Sequence, residues 1–565
     1  MDVPFSCAMT AIPEELSPAS TMNARKTSIG SQIELLIQHL TRDVAEGRAS
    51  FLVGAGISTL HPSELPSGHE LKRQCLDAVA TRDRKLSTLA SRLRRSRRWA
   101  NLTPELFFQA LSERLLGKLT PFFTFLSYSQ PNLGHAVLAH LAAKFNQPVL
   151  TTNFDTLIES IAGKVVHLHG DLSRPEELVF RINQVGKGMD AELRSQLLSS
   201  LAGRTLYVLG YSGADRDILH VLRNSDVRQI QWIIHPDPMR RGGPVESVGS
   251  SLRRRCTFVP VDLQRLFAIL ARKFGVRITS AADALAYKRR EHVRLWASSL
   301  SIAEAWACIG ASCQLVEKYD QARAAFLQGY RFADDKLTAA WFLNEAANAM
   351  YIAGRFSDCA RYAKRAISSD RKHADLGLLA GSFNLMGLTR LENIRPDAAG
   401  ALEHFRIAQM HAERLLRTSR PIRLTEDGLQ RFLSRLYNNI GLAYANAGKP
   451  RTARKYYIRS LRIKRKRGDL VGLAKTGENL CCLDYAAKQF GSAHYWKKKA
   501  LEIIDRYDLV FDRAYIFRRL GEISCEQGRK AQGLRYLETA LSIYSGNPDL
   551  KFGVRLTKDS ISKHS

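Results

Sequence analysis

The chain has 565 residues, 45% of them hydrophobic, and a formal net charge of +30, a surplus that implies attraction to something acidic without naming it. At roughly one domain per 100–200 residues, that length divides into two to four units. There is no apolar run near the ~20 residues of a membrane span, no basic and apolar opening of a secretory signal, and no CxxC pair among the nine cysteines, which excludes a membrane span, a disulfide scaffold or a zinc ribbon and implies a soluble cytoplasmic protein.

Residues 1–30 read as a disordered tail. From 31 to 276 the chain alternates short β-branched runs with amphipathic stretches, the pattern of an α/β Rossmann-like domain with a mainly parallel sheet. The expected strands are "SFLVG" (50–54), "PVLTT" (148–152), "KVVHLH" (164–169), "TLYVLG" (205–210), "IQWIIH" (230–235) and "TFVPV" (257–261). Most are apolar on both faces, as strands covered on either side by helices should be. A long helical insertion containing "ELFFQALSERLLGKLTPFFTFL" separates the first two, and its apolar positions are expected to close over the sheet's edge or mouth. The basic runs at 82–98 and 451–469 repeat their cations at helical spacing and read as solvated helix faces.

Residues 277–301 read as a helical connector. From 302 to 545 helix follows helix, and the segment repeats with a period of some 40 residues. "AEAWACIGASCQLVEKYDQARAAFLQG" places Trp306, Gly310, Ala322 and Phe326 at the offsets that "RLYNNIGLAYANAGKPRTARKYYIRSL" gives to Tyr437, Gly441, Ala453 and Tyr457, with Tyr319 and Tyr444 as further aromatics of the two units. Further copies centre on Ala347, Gly387, Cys481 and Gly521, and the third is lengthened by "LLRTSRPIRLTEDG". Small residues let two antiparallel helices approach while aromatics fill the groove between them. This resembles the tetratricopeptide repeat, an all-α solenoid that binds partners and rarely carries chemistry. Residues 546–565 read as a C-terminal tail.

The chemistry-bearing residues lie at strand exits, where open parallel sheets bind ligands. The first strand runs into "VGAGIS", with Gly54, Ala55, Gly56 and Ser58, where small residues admit a phosphate and the amides of a following helix start face it. In "TTNFD", Asn153 and Asp155 sit just past the second strand, either facing a ligand or capping a helix. In "VVHLHGDL", strand alternation puts His167 and His169 on one face, with His169 at the rim before Gly170 and His167 deeper, in a structural or supporting role. "VLGYSGADRD" supplies a second Gly/Ser turn through Gly210 and Ser212, so a dinucleotide would find two anchoring points on one edge. No G-x-x-x-x-G-K-[ST] loop occurs, which leaves a nucleotide-triphosphate motor without support.

In this order, "GAGIS", "PNLGHAVLAHL", "TTNFD", "HLHGD" and "GYSGADRD" resemble the sirtuin-like fold over roughly residues 35 to 265. The resemblance implies an NAD site built from Gly54, Ala55, Gly56, Ser58, Asp155, Gly210 and Ser212, with His235 toward the adenosine ribose. It also implies that Asn153 and His169 flank the nicotinamide ribose as catalytic residues, His169 as the base. Protein-deacylating sirtuins carry a four-cysteine zinc module between the last two motifs, whereas residues 171–209 here contain no cysteine and "TLHPSELPSG" replaces the usual segment after the first turn. These departures are similar to the NAD hydrolases of bacterial antiviral defence, and imply NAD as substrate, no metal, water as acceptor, and products nicotinamide and ADP-ribose. They further imply a homo-oligomer whose repeat half senses a phage-derived protein or nucleic acid. Two alternatives stay open: an NAD-dependent deacylase or ADP-ribosyltransferase, and a non-enzymatic scaffold that senses NAD or ADP-ribose.

Overall fold

A computed structural model describes residues 18–213, 215–237, 250–278, 283–370, 375–391, 396–417, 426–547 and 550–564. Its packing forms two compact units interleaved along the chain. The first takes the described residues of Met1–Leu65, Ser129–Leu168 and Ala191–Ala282; the second takes Pro66–Tyr128, His169–Asp190 and Asp283–Ser565.

The first unit holds a six-stranded sheet, β1 (Ala49–Val53), β2 (Val149–Thr151), β3 (Val165–His167), β4 (Thr205–Leu209), β5 (Gln229–Ile234) and β6 (Cys256–Pro260), in the order β3-β2-β1-β4-β5-β6. Every neighbouring pair is parallel. All six strands arise where the β-branched runs placed them. The central β1 and β4 are buried at all five positions, which is why their sequences are mostly apolar, without polar alternation. Phe51 stacks on Tyr207 with ring centroids 5.7 Å apart, and the Tyr207 hydroxyl donates to Asp43 Oδ2 at 2.9 Å. The helices Leu133–Phe145 and Leu263–Phe274 bury Val137, Leu138, Leu141, Leu266, Phe267 and Leu270 in the same core.

The strand expected over 164–169 is half as long as expected. β3 stops at His167, the Leu168 N–H donates to the Thr151 carbonyl at 2.8 Å, and Gly170 turns the chain with φ +75°. His169 therefore lies in a turn rather than on the strand, and the alternation that would have paired it with His167 on one face ends before reaching it.

The second unit contains six helix pairs among its described residues. Their first helices are Ile302–Leu315, Lys336–Ile352, Leu376–Leu391, Glu426–Asn446, Leu470–Ala486 and Val510–Glu526. The expected small-against-large packing recurs: a Cβ on Gly310 would lie 2.4 Å from Phe326, one on Gly387 2.5 Å from Phe405, one on Gly441 2.6 Å from Tyr457, and one on Gly521 2.7 Å from Leu537. Each glycine thus admits the large side chain of its partner helix. Most of the lengthening in the third copy, 418–425, lies outside the described residues, as do residues 1–17 of the expected N-terminal tail.

Two stretches expected to be tails contain helix. Pro18–Ala45 is helical, and Lys551–His564 packs on the last pair, with Thr557 buried and Gly553 against the Tyr544 ring. A solenoid leaves an apolar face at its end, and this last helix covers it.

The insertion after β1 is the larger correction. By packing it belongs with the repeats: its helices Gly68–Ala80, Arg84–Arg94 and Pro104–Leu115 contact Ile302–Leu315. Phe180, from the stretch 169–190, meets Phe108 and Phe123 at centroid distances of 6.2 and 4.6 Å, and Phe122 meets Trp296 of the connector helix Asp283–Ser299 at 4.8 Å. Arg114 pairs with Glu345 at 2.6 Å, Arg431 pairs with Glu113, and Arg98 pairs with Glu317 at 3.2 Å. The helix Ile182–Lys187 sets Ile182 among Leu470, Ala474 and Cys481 of the fifth pair. The apolar stripe of the insertion predicted burial correctly and the wrong surface to receive it.

Candidate active site

The strand order 3-2-1-4-5-6 reverses direction between β1 and β4, and ligands of doubly wound sheets bind outside the carboxyl ends of the strands at that switch point. Both glycine-rich exits lie there, and Asn153 follows the adjacent β2. The glycines are required by each other. A Cβ on Gly54 would stand 2.6 Å from Tyr211 Cα, and one on Gly56 would stand 2.8 Å from Gly210 Cα. The two loops interlock by backbone, and Gly210 itself holds φ +62°.

This contact changes the reading of the first turn. The Gly54 N–H donates to the Leu209 carbonyl at 3.0 Å, Gly56 to Gly210 at 2.9 Å, Ile57 to Gly54 at 3.2 Å and Ser58 to Ala55 at 3.0 Å. These amides, expected to face a phosphate, are spent within the fold; among the described residues the Ala55 N–H is the amide of this turn left without a backbone acceptor. On the second loop Ser212 is exposed. His235 follows β5 half-buried, its Nδ1 accepting from the Asp237 N–H at 3.1 Å.

The most ordered chemistry centres on Ser58, which is 2% exposed. Its Oγ donates to Asp155 Oδ2 at 2.9 Å and lies 3.1 Å from His135 Nε2 and 3.0 Å from Asn153 Nδ2. The donor directions follow from counting hydrogens. His135 Nδ1 accepts from the Asn132 N–H at 3.0 Å, and burial pushes the ring's pKa down to about 3, so the ring is neutral and its hydrogen sits on Nε2. The hydroxyl's one hydrogen goes to the Asp155 carboxylate. Its two lone pairs then receive His135 Nε2–H and the Asn153 amide, which must present its NH2 group.

The rest of Asn153 is fixed as well. Its N–H donates to Thr151 Oγ1 at 3.0 Å, and its carbonyl accepts from His167 Nδ1 at 2.9 Å. His167 Nε2 meets Glu159 Oε1, so holding both bonds at once takes a hydrogen on each ring nitrogen. His167 thus ties the Asn153 backbone to Glu159. What remains is the Asn153 Oδ1, buried and without a hydrogen-bond partner in a residue 8% exposed. A buried carbonyl oxygen left unpaired costs about 1–3 kcal/mol, and its natural complement is a donor brought by a ligand.

Asp155 holds the network in one direction. Burial raises its pKa, while hydrogen bonds from Ser58 and the Leu157 N–H lower it, and His135 Nε2 stays 3.9 Å from Oδ1 as a neutral neighbour. Tyr211 closes the far side of the switch point by packing against Trp232, centroids 6.0 Å apart.

His169 is assigned by packing to the second unit and is 6% exposed; its carbonyl accepts from the Val179 N–H at 2.8 Å. A Cβ on Gly170 would stand 3.0 Å from the Glu177 carbonyl oxygen, so the turn after His169 is clamped by backbone.

Sequence reasoning missed His135 and Asn132. The available signal was Asn-x-x-His opening the helix Leu133–Phe145: Asn132 Oδ1 accepts from the Gly134 and His135 N–H groups while the His135 ring returns a bond to the Asn132 N–H, a reciprocal cap.

Residues 159–241 match a family model described as a SIR2-like domain. No curated protein matches the sequence. Among solved structures, the chain is similar to a Rap protein complexed with competence and sporulation factor (12% identity, 54% of this chain and 94% of that one, TM-score 0.34). It is also similar to aspartyl phosphate phosphatase F from Bacillus subtilis (13% identity, 53% and 81%, TM-score 0.30). A third likeness is to the TPR2AB domain of yeast Sti1 in a pHSP90 complex (18% identity, 45% and 95%, TM-score 0.18). At such scores the repeat fold rests on this chain's own helices.

Proposed function

We propose that the chain binds NAD at the switch point of its sheet and hydrolyses the bond between nicotinamide and ribose. The observation that carries this reading is the buried, unpaired Asn153 Oδ1, held in place by Ser58 and Asp155 at the carboxyl end of β2. The residues suit the ligand: the Ala55 N–H and the exposed Ser212 offer donors on the two loops that bracket the strand reversal. The SIR2-like match over 159–241 favours NAD over other dinucleotides.

Nicotinamide leaves NAD as a neutral base, so bond cleavage requires no general acid. What the chain supplies is position. Asn153 Oδ1 accepts a hydrogen from water or a ribose hydroxyl and so orients it; the Asp155–Ser58 pair keeps the amide from flipping; His169 takes the proton that the attacking hydroxyl gives up. With water as acceptor the products are nicotinamide and ADP-ribose.

The second unit gives this activity a means of control. His169 opens the stretch 169–190, whose Ile182 is buried among helices of the fifth repeat pair. A partner that repacks those helices acts on the segment bearing the base.

The test is release of free nicotinamide from NAD by the purified chain, with and without lysate from infected cells. Asn153→Ala and His169→Ala each abolish release while circular dichroism stays unchanged. Release that survives in both variants refutes the reading, and turnover of an acetylated peptide in the same assay replaces it with deacylation.

A further inference from the structure

The basic run at 451–469 is more than a solvated face. Along the helix Pro450–Arg467, Arg451, Lys455, Arg459 and Arg462 are exposed at spacings of four, four and three residues, which places them on one side. They line an open groove of about 840 Å³, together with Arg454. No carboxylate is among its lining residues. Arg454 is tied to the buried Asp484, and Arg459 is held over the Tyr437 ring at 4.1 Å from its centroid. Among the described residues no carboxylate pairs with Arg451, Lys455 or Arg462. The floor between the cations is apolar: Ile458 from the same helix, and Leu483 and Ala487 from the end of the next.

We propose that this groove docks an extended acidic segment of a partner protein, one in which carboxylates alternate with apolar side chains. Four helical residues rise about 6 Å, and same-side residues of an extended peptide are about 6.6 Å apart, so alternate carboxylates meet successive cations. The side chains between them face the other way, toward Leu483 and Ala487 at the end of the next helix. Four of the five cations are arginines, whose planar forks pair with carboxylates in bidentate fashion. A single-stranded nucleic acid fits less well, because sequence-tolerant strand binding depends on exposed aromatic platforms and no aromatic ring lines the groove. The inference stands on the repeat helices alone and is independent of NAD cleavage.

The experiment measures fluorescence anisotropy of a labelled peptide of alternating glutamate and leucine with the full chain. The peptide binds, added salt weakens it, and Lys455→Glu with Arg462→Glu lowers affinity by at least about tenfold with helical circular dichroism unchanged. Arg92→Glu with Arg95→Glu, the same charge change at the other basic cluster, leaves affinity within about twofold. Failure of the peptide to bind overturns the proposal, as does an equal loss in both double variants. Tighter binding of a single-stranded oligonucleotide, lost in the same groove variant, assigns the surface to nucleic acid and also overturns it.

Discussion

Ser58→Ala removes one oxygen and disturbs three partners. The Asp155 carboxylate loses a donor, and His135 Nε2–H and the Asn153 amide lose their acceptor, all in a site where Ser58 is 2% exposed and His135 fully buried. A hydrogen bond to a charged group contributes about 1.5–3 kcal/mol, and each buried donor left unmade costs about 1–3 kcal/mol; since the three share one atom and relax together, the expected loss is about 3–5 kcal/mol. It should be local, raising amide exchange in the turn Gly54–Ser58 by at least about a hundredfold as followed by hydrogen–deuterium exchange. The loss also depends on pH. Burial already raises the Asp155 pKa, Ser58 opposes that, and without Ser58 it rises further. A carboxyl whose folded pKa lies above its unfolded one penalises the fold when ionised and is relieved as pH falls through the folded pKa. The deficit is therefore larger near about pH 8 than near about pH 5. A change below about 1 kcal/mol, or one equal at both pH values, refutes the proposed direction of the network.

His135 gives the opposite slope. Its folded pKa is pushed down to about 3, so between the unfolded value of 6.5 and that point the unfolded chain binds a proton the folded chain refuses, and stability falls as pH falls. Relative to His135→Gln, which keeps a donor toward Ser58 and does not titrate, the native chain loses about 1.4 kcal/mol per pH unit below 6.5; parallel denaturation curves contradict this. In the repeats, Gly441→Ala drives a Cβ to 2.6 Å from Tyr457 Cε1 and costs about 1–3 kcal/mol. Gly491→Ala meets nothing within 4 Å and gains about 0.5–1 kcal/mol of helix propensity, so the two variants shift thermal unfolding in opposite directions.

The strands and repeat pairs were legible because their signals are local. β4, "TLYVL", is apolar after its first residue and buried at every position, and Gly441 needs only to be small sixteen residues before Tyr457 to announce a helix pair. Asn153 and Asp155 were legible as residues past a strand end, and their being drawn to Ser58 is consistent with that placement. The glycines of "GAG" were legible as close-approach residues, but nothing in the motif announces that the backbone of Gly210 and Tyr211 is what approaches them in the fold. His135 stayed hidden among apolar residues whose burial gave no hint that its ring would be one of the most buried polar groups in the chain.

The insertion shows where local reading ends. Phe107, Phe108, Phe122 and Phe123 state how much apolar surface must be covered, and helical spacing states on which side. Neither states which surface covers it. That choice falls to partners hundreds of residues away: Arg114 finds Glu345, Arg98 finds Glu317 and Glu113 finds Arg431, each pair bringing opposite charges together at partly or fully buried positions where a mismatched partner would leave a charge unpaired. Ion pairs of this kind add little net stability but penalise the wrong docking, which is the property an apolar stripe lacks. A boundary drawn at 276 from the change of period therefore marks a change of local structure, whereas membership in a compact unit follows the buried contacts: the ion pairs join Pro66–Tyr128 to the repeats, and Phe180 and Ile182 join His169–Asp190.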